Sequence, residues 1–415
     1  MGDVFIAPGV RTPFVKGGGV FAAYDGLALS TPVAKAMVAR AQPDFVVWGE
    51  VIPDPTISNI ARELIFAAEL EPTIPAFSTV LACSTSFMGV IEASGMVGRG
   101  GTHLALVGGV ETMSHVPIAL KTEVADRLVA TFARDPGGAA AMLTHLTAAD
   151  FNLPLKAWAN RVSGRSQGEH TEDTARRFAI TREEQDRWAL RSHQSAVAAQ
   201  DAGFFDDLVI PFAGVEYDAL PRRDTSLERL ATLRPAFAPD GTITAGNASA
   251  VTDGAGAIWV GDAEGLERLG ATAAVKLVDW EIAAIDFRLD EGMLMAPGRA
   301  IPRLLARHGL RFDDIALYEI HEAFAAQVLA NIKAATDPAY RRERASVDAD
   351  LGDFPWDRVN PHGGTLALGH PFAATGARIL SQAAKELAAM PAGSHALVSV
   401  CADGGQGTVA LLEPV

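Results

Sequence analysis

Two stretches in opposite halves of the chain repeat one pattern, and that repetition limits the fold more than any other feature. In the first, Cys83 precedes the small-residue, apolar segment "STSFMGVIEASGMVG", and a strand-like "HLALVGGVETM" follows. In the second, His370 precedes "PFAATGARILSQAAKEL", and "HALVSVCADGG" follows. Each half offers a reactive residue, a helix suited to close packing, and a buried strand that ends in a turn. A duplicated α/β lobe with a site between the copies accounts for all three.

The rest of the chain supports an α/β class. "DVFIA" (3–7), "FVVWG" (45–49), "IALYEI" (315–320) and "AGAIWVG" (from 255) read as buried strands, with helical patterns between them. Strand–helix alternation at this spacing points to a parallel or mixed sheet covered on both faces. In "STPVAKAMVARA", Thr31 is the expected N-cap and Pro32 the first helical residue. Ser58 is the candidate cap of "SNIARELIFAAEL". From about 115 to 245 the texture becomes helical and loop-like. Thr181 and Glu184 there have the spacing of a capping box.

Composition removes several function classes. The 415 residues exceed the ~250–300 at which one core stops growing. A formal net charge of −15 argues against nucleic acid as the main partner, which demands a concentrated basic surface. No run approaches the roughly 18 apolar residues of a membrane span. The N-terminal "MGDVFIAPGVRTPF" has no basic region leading into an apolar run, so no signal peptide is expected. The expected location is the cytoplasm. Two cysteines, Cys83 and Cys401, make no disulfide framework.

Cys83 opens what reads as a helix, where the dipole and unpaired N–H groups favour thiolate. A buried, space-filling thiol is the plain alternative. His370 stands among glycines in "GGTLALGHPFAATGAR" and is followed by proline, which mounts an imidazole on a stiff turn. Histidine is the usual general base near neutral pH. In "SVCADGGQGTVALLE", Cys401 ends a β-rich run before a glycine-rich turn that could aim N–H groups at an oxyanion, or could be an ordinary hairpin. "YEIHEAFAAQ" sets His321 and Glu322 after a strand, without the second histidine of a zinc-protease helix. No metal is expected.

Together these stretches resemble the thiolase family over almost the whole chain. "VLACSTSF" is similar to its nucleophile segment, "HEAFA" to its third motif, and "GGTLALGHPFAATG" and "CADGGQG" to its two C-terminal signatures. "LRPAFAPDGTITAGNASAVTDGAGA" (233–257) is similar to the segment that closes the N-terminal half. The resemblance implies a duplicated βαβαβ architecture: two five-stranded sheets in an α-β-α-β-α stack. The N-terminal lobe would hold 1–114 and 246–268, an inserted loop domain 115–245, and the C-terminal lobe 269–415.

The resemblance further implies thiolytic cleavage of 3-ketoacyl-CoA in fatty-acid β-oxidation, with CoA as a substrate and no permanently bound cofactor. Cys83 would take the acyl group, His370 act as base, Cys401 move protons, and His321 serve an oxyanion site. A second oxyanion site would use the N–H of Cys83 and one from the Asp403–Gly404 turn. Arg222, Phe237, Ala248, Ser249, Ala323, Phe324 and Gln167 would contact CoA or the acyl group. Three positions depart from the common pattern: His321 replaces asparagine, Asp403 glycine, and Gln167 methionine. Histidine at 321 resembles the β-subunit of the trifunctional complex, and should make turnover depend on its protonation. A homodimer or homotetramer is expected, with a hydratase–dehydrogenase α-subunit as a further partner. Rival readings are a short-chain acetoacetyl-CoA acetyltransferase, a ketoacyl synthase and a non-catalytic acyl-CoA-binding subunit.

Overall fold

The protein is described by a computed structural model over residues 2–152, 159–289 and 291–415; residues 153–158 of the expected insertion and Asp290 lie outside the described residues. From the N-terminal half come β1 (Phe5–Ala7), β3 (Phe45–Glu50), β4 (Ala76–Phe77), β5 (Leu104–Thr112) and β8 (Thr252–Gly261). From the C-terminal half come β9 (Val275–Ala284), β10 (Ile315–Ile320), β11 (His395–Ala402) and β12 (Gln406–Pro414). They join in the order β10-β11-β12-β9-β1-β8-β5-β3-β4, and β2 (Val15–Lys16) pairs β8 off this path.

The duplication is legible in that order. Outward from the seam, β1–β8 and β8–β5 are antiparallel and β5–β3 is parallel. On the other side, β9–β12 and β12–β11 are antiparallel and β11–β10 is parallel. The seam is short, with Phe5 opposite Lys276 and Ile6 opposite Val275. The two sheets implied by the family resemblance are thus hydrogen-bonded into one ten-stranded sheet, nine strands along the path and β2 beside β8.

Side-chain packing establishes the layers. Val47 and Val107 from one half and Val398 and Val400 from the other share one core with helices Thr85–Val97 and Thr375–Ala388. The outer faces pack into separate cores, one around Leu29, Val33 and Leu64, the other around Ile301, Leu304 and Ile332. The result is the expected α-β-α-β-α stack. Every residue of β3, β5 and β8 is buried, as strands covered on both faces require.

The two central helices touch through small residues. A Cβ on Gly376 would lie 2.2 Å from the backbone nitrogen of Phe87, and the Ala377 N–H donates to Ser86 Oγ at 2.8 Å. This is why both segments read as small-residue helices.

The region from 115 to 245 contains helices Thr122–Phe132, Pro136–Leu143, Gln167–Arg177, Arg182–Asp201 and Leu227–Ala231, and a small hairpin of β6 (Ala119–Leu120) with β7 (Phe151–Asn152). The Thr181–Glu184 capping box is present, and Ser166 and Glu169 form a second. Two expected caps are corrected. The first helix starts at Gly26 with Asp25 as its cap, and Pro32 lies inside it. Thr31 instead bonds back to the Leu27 carbonyl, as hydroxyl residues inside helices do. The next helix is capped by Asn59, whose Oδ1 accepts from Arg62 N–H, one residue after Ser58. Among the described residues no helix is long and apolar enough to cross a membrane.

Gly376→Val is expected to destabilise the protein by at least ~1–3 kcal/mol, the scale of overpacking a close contact. An unchanged urea midpoint would show that the central helices can separate without loss.

Candidate active site

The duplicated units deliver Cys83 and His370 to one place. Cys83 sits in a 3₁₀ turn, Ala82–Ser84, that runs into Thr85–Val97. His370 lies just before the equivalent turn, Phe372–Ala374, that runs into Thr375–Ala388. Both approaches are bent. Ala82 has φ 45° and Gly369 φ 99°, in the region that favours glycine. Ser84 and Thr408 hydroxyls hydrogen-bond, tying the Cys83 turn to β12.

His321 and Cys401 come from the C-terminal ends of the neighbouring parallel strands β10 and β11. The His321 N–H donates to the Ser399 carbonyl at 2.8 Å. Cys401 is buried among Ile243, Met293, Leu294, Ala323 and Phe324. Both cysteines are free thiols.

The functional atoms converge. One ligand atom each from Cys83, His321 and His370 lies within 4.8 Å of the others, a set that could hold a metal ion. The imidazole centroids are 4.2 Å apart. His370 Nδ1 is 2.7 Å from Thr375 Oγ1, and His321 Nδ1 is 2.9 Å from Thr365 Oγ1. Nε2 of each ring is buried and makes no hydrogen bond within the described protein.

A cavity of about 380 Å³ reaches Cys83 and His370. Its lining includes Gln167, Phe237, Ala248, Ser249, Ala323, Phe324 and Asp403. Segment 247–252 threads between the motifs. The Ser249 N–H donates to the Ala323 carbonyl at 2.9 Å, and Thr252 Oγ1 accepts the His370 N–H at 2.8 Å. Phe237 and Phe324 meet edge to face. Arg222 is exposed and does not line this cavity; its N–H donates to His193.

The electrostatics correct two expectations. Cys83 was expected to be thiolate-prone at a helix start, yet its pKa is pushed up to about 12. Full burial is the largest cause, followed by the Asp403 carboxylate, while the N–H groups of Asp403 and Cys83 oppose the rise. His321 was expected to titrate during turnover. Burial, His370 and Arg378 hold its pKa well below the ordinary value, so the ring is neutral at working pH. His370 is lowered to about 3, first by burial and then by Arg378. At rest a neutral thiol lies beside two neutral imidazoles.

In the Asp403–Gly404 turn, the Asp403 N–H is the one that acts on Cys83. The Gly404 N–H donates to Asp403 Oδ1 at 2.8 Å, and Asn160 Nδ2 donates to the same oxygen at 3.2 Å. Gly404 is therefore occupied, and Asp403 keeps its carboxylate at the cavity wall.

Several site residues were not singled out from the sequence. Asn160, Val251 and Phe372 line the cavity. Buried Glu111, with a pKa raised to about 8 mainly by desolvation, accepts from the N–H groups of Val51, Ile52 and Ala373. Thr365, Phe372, Thr375 and Arg378 carried a readable signal, because all four lie within the glycine-rich histidine stretch.

Residues 4–264 match the thiolase N-terminal domain and residues 271–414 the thiolase C-terminal domain. A 3-ketoacyl-CoA thiolase of Erwinia tasmaniensis is 36% identical, over 99% of this chain and 96% of its own. The mitochondrial trifunctional enzyme subunit beta of Bos taurus is 34% identical, over 99% of this chain and 88% of its own. Among solved structures, a Bacillus anthracis acetyl-CoA acetyltransferase superposes with TM-score 0.82 at 29% identity, covering 100% of this chain and 99% of its own. Human mitochondrial 3-ketoacyl-CoA thiolase superposes with TM-score 0.81 at 28% identity and the same coverage. With both domains matched in order and nearly the whole length shared with these relatives, the chain belongs to the thiolase family.

Proposed function

We propose that this protein cleaves 3-ketoacyl-CoA with CoA, giving acetyl-CoA and an acyl-CoA shortened by two carbons, as in fatty-acid β-oxidation. The observation that carries this reading is the convergence of Cys83, His370 and His321, the first two on the wall of one cavity, with two backbone N–H groups on the sulfur. The names of the Erwinia and human relatives support the same reaction.

His370 Nε2 takes the Cys83 proton as the sulfur attacks the 3-keto carbon. The new oxyanion is held by the N–H groups of Cys83 and Asp403, a term worth about 3–4 kcal/mol per donor. The C2–C3 bond then breaks. Its electron pair leaves as the enolate of acetyl-CoA, whose oxygen faces His321, and Cys401 gives a proton to C2. Cys401 recovers that proton from the incoming CoA thiol. The CoA sulfur attacks the acyl–Cys83 thioester, and His370 returns the proton to Cys83. Atoms and charges balance with CoA alone, so the reaction needs no further cofactor.

The neutral resting state suits this order. A thiol at about 12 is not consumed by stray electrophiles, and transfer to His370 becomes favourable only when the new charge is held by the oxyanion donors. Phe237, Ala248, Ser249, Ala323 and Phe324 form the CoA-proximal wall in this reading, with Gln167 beside the acyl group and Arg222 outside at the surface. The solved acetyl-CoA acetyltransferase supports a short-chain alternative. Relative kcat/KM across 3-ketoacyl-CoAs of increasing length separates the two. Cytoplasmic operation and dimer-based assembly belong to the proposal, as does a hydratase–dehydrogenase partner, which the name of the bovine relative supports.

In tests of the assignments, Cys83→Ala is expected to bind acyl-CoA without turnover. Incubation of the wild type with substrate but no CoA should leave an acyl adduct on Cys83, visible by mass spectrometry. An adduct on Cys401 would reverse the roles. Cys401→Ser should slow turnover severely yet still form the Cys83 adduct, and undiminished turnover would remove it from the mechanism.

The resting thiol gives a pH test. Below its pKa of about 12, iodoacetamide labelling of Cys83 in the free enzyme should rise with pH and show no plateau. Asp403→Asn removes a charge that raises this pKa, so labelling at any fixed pH should become faster. A plateau near neutrality would mean that a thiolate already exists at rest.

A further inference from the structure

Both active-site rings are held from behind by a threonine hydroxyl, and the two hydroxyls stand in opposite hydrogen-bonding situations. Thr365 Oγ1 lies 2.9 Å from His321 Nδ1. The same oxygen receives Arg378 Nη2–H at 3.1 Å and, at the long end of the range, the Glu322 N–H at 3.4 Å. Guanidinium and amide nitrogens can only donate. Among the described residues, the one partner able to accept the Thr365 proton is therefore His321 Nδ1. A neutral ring that accepts at Nδ1 carries its own proton on Nε2.

At His370 the logic runs the other way. Its Nδ1 lies 2.7 Å from Thr375 Oγ1, whose other partner is the Pro371 carbonyl at 3.4 Å. A carbonyl can only accept, so the Thr375 proton turns towards Pro371 and a lone pair is left for an Nδ1–H. The His370 lone pair then lies on Nε2.

We propose that Thr365, aimed by Arg378, is a positioning residue that locks His321 as the Nε2–H tautomer, while Thr375 locks His370 as the Nδ1–H tautomer. Beside Cys83 the two rings then offer one donor and one acceptor. Tautomers decide the matter because burial keeps both rings neutral.

The consequence for catalysis rests on the thiolysis reading above. His370 Nε2 is free to take the Cys83 proton, and His321 Nε2–H offers the enolate oxygen a donor without needing to be protonated. Were His321 in the other tautomer, two lone pairs would face each other across rings 4.2 Å apart, and the enolate would lose this donor. Cys83 and both rings would then present three ligand atoms to a cation such as zinc. The lock turns a potential metal set into one donor and one acceptor.

The test is long-range ¹H–¹⁵N correlation spectroscopy on the full-length protein carrying ¹⁵N-labelled histidine, at neutral pH. The two rings are identified by the signals lost in His321→Asn and His370→Asn. Nε2 of His321 is expected to be protonated and its Nδ1 bare, with the reverse for His370. One tautomer shared by both rings, or a proton on His321 Nδ1, overturns the proposal. Thr365→Val should scramble the His321 tautomer and lower kcat about 10²-fold, with little change in KM. Thr365→Ser should restore the spectrum and most of the turnover. A Thr365→Val enzyme with the wild-type spectrum and kcat overturns the positioning role. Where that variant does not fold, the wild-type spectrum and Thr365→Ser decide. A protein inactive on every 3-ketoacyl-CoA would sink the thiolysis reading, while the spectra would still decide the tautomers.

Discussion

The carboxylate of Glu322 organises the C-terminal side of the site. It is buried beside His321 and accepts four hydrogen bonds: from Trp188 Nε1 at 3.0 Å, Asn360 Nδ2 at 2.8 Å, Ser192 Oγ at 2.7 Å and the Leu366 N–H at 3.1 Å. Those donors come from the inserted helix Arg182–Asp201, from Asn360, and from the turn that carries Thr365. Four buried donors left unpaired at about 1–3 kcal/mol each would approach the whole stability of a domain, about 5–15 kcal/mol. One side chain therefore fixes the end of β10, the insertion and the approach to His370 relative to one another. Gly364 is part of the arrangement, because a Cβ there would lie 2.3 Å from the Glu322 carboxyl.

That packing explains why the chemistry is dry. Cys83, His321, His370 and Cys401 are all almost fully buried. At a helix start the dipole is worth about 0.3–1 kcal/mol, whereas full burial shifts a titratable group by up to ~3–5 pKa units at about 1.4 kcal/mol each. Burial wins at Cys83, and Asp403 adds to it. The structure thus stores Cys83 as a neutral thiol, which in the proposed reaction is activated when a carbonyl arrives for the backbone N–H groups to hold.

What the sequence revealed follows from the range of the interactions involved. Repetition of residue, helix and strand was readable because each unit is local, and the mirrored pairing order on the two sides of the β1–β9 seam is its three-dimensional expression. The small residues around Ser86 and Gly376 were readable for the same reason: close helix contact excludes side chains in any context. The start of the first helix was misread because Thr31 and Pro32 carry strong local signals, while Asp25 made the decisive bond, to Ala28 N–H. The resting pKa of Cys83 was misjudged because it depends on burial by distant segments and on Asp403. Glu111 was invisible as a site residue, since its partners Val51, Ile52 and Ala373 lie far away in sequence.

Duplication also explains how one supersecondary unit supplies two different chemistries. Both halves lead through a 3₁₀ turn into a central helix, with Cys83 inside one turn and His370 just ahead of the other, and the helices touch at Phe87 and Gly376, so the two residues meet near the pseudo-symmetry axis. Symmetry of backbone alone would give two equivalent groups. The asymmetry comes from residue identity, Cys83 in one copy and His370 in the other, and from what stands behind each. The His370 ring rests on its own helix through Thr375, whereas Cys83 receives the N–H of Asp403 from the opposite half. His321 and Cys401 have entered from strand ends of the C-terminal copy alone. A thiol from one lobe is therefore met by two imidazoles from the other, with a second thiol from that same lobe, and neither lobe holds the whole cluster without its partner.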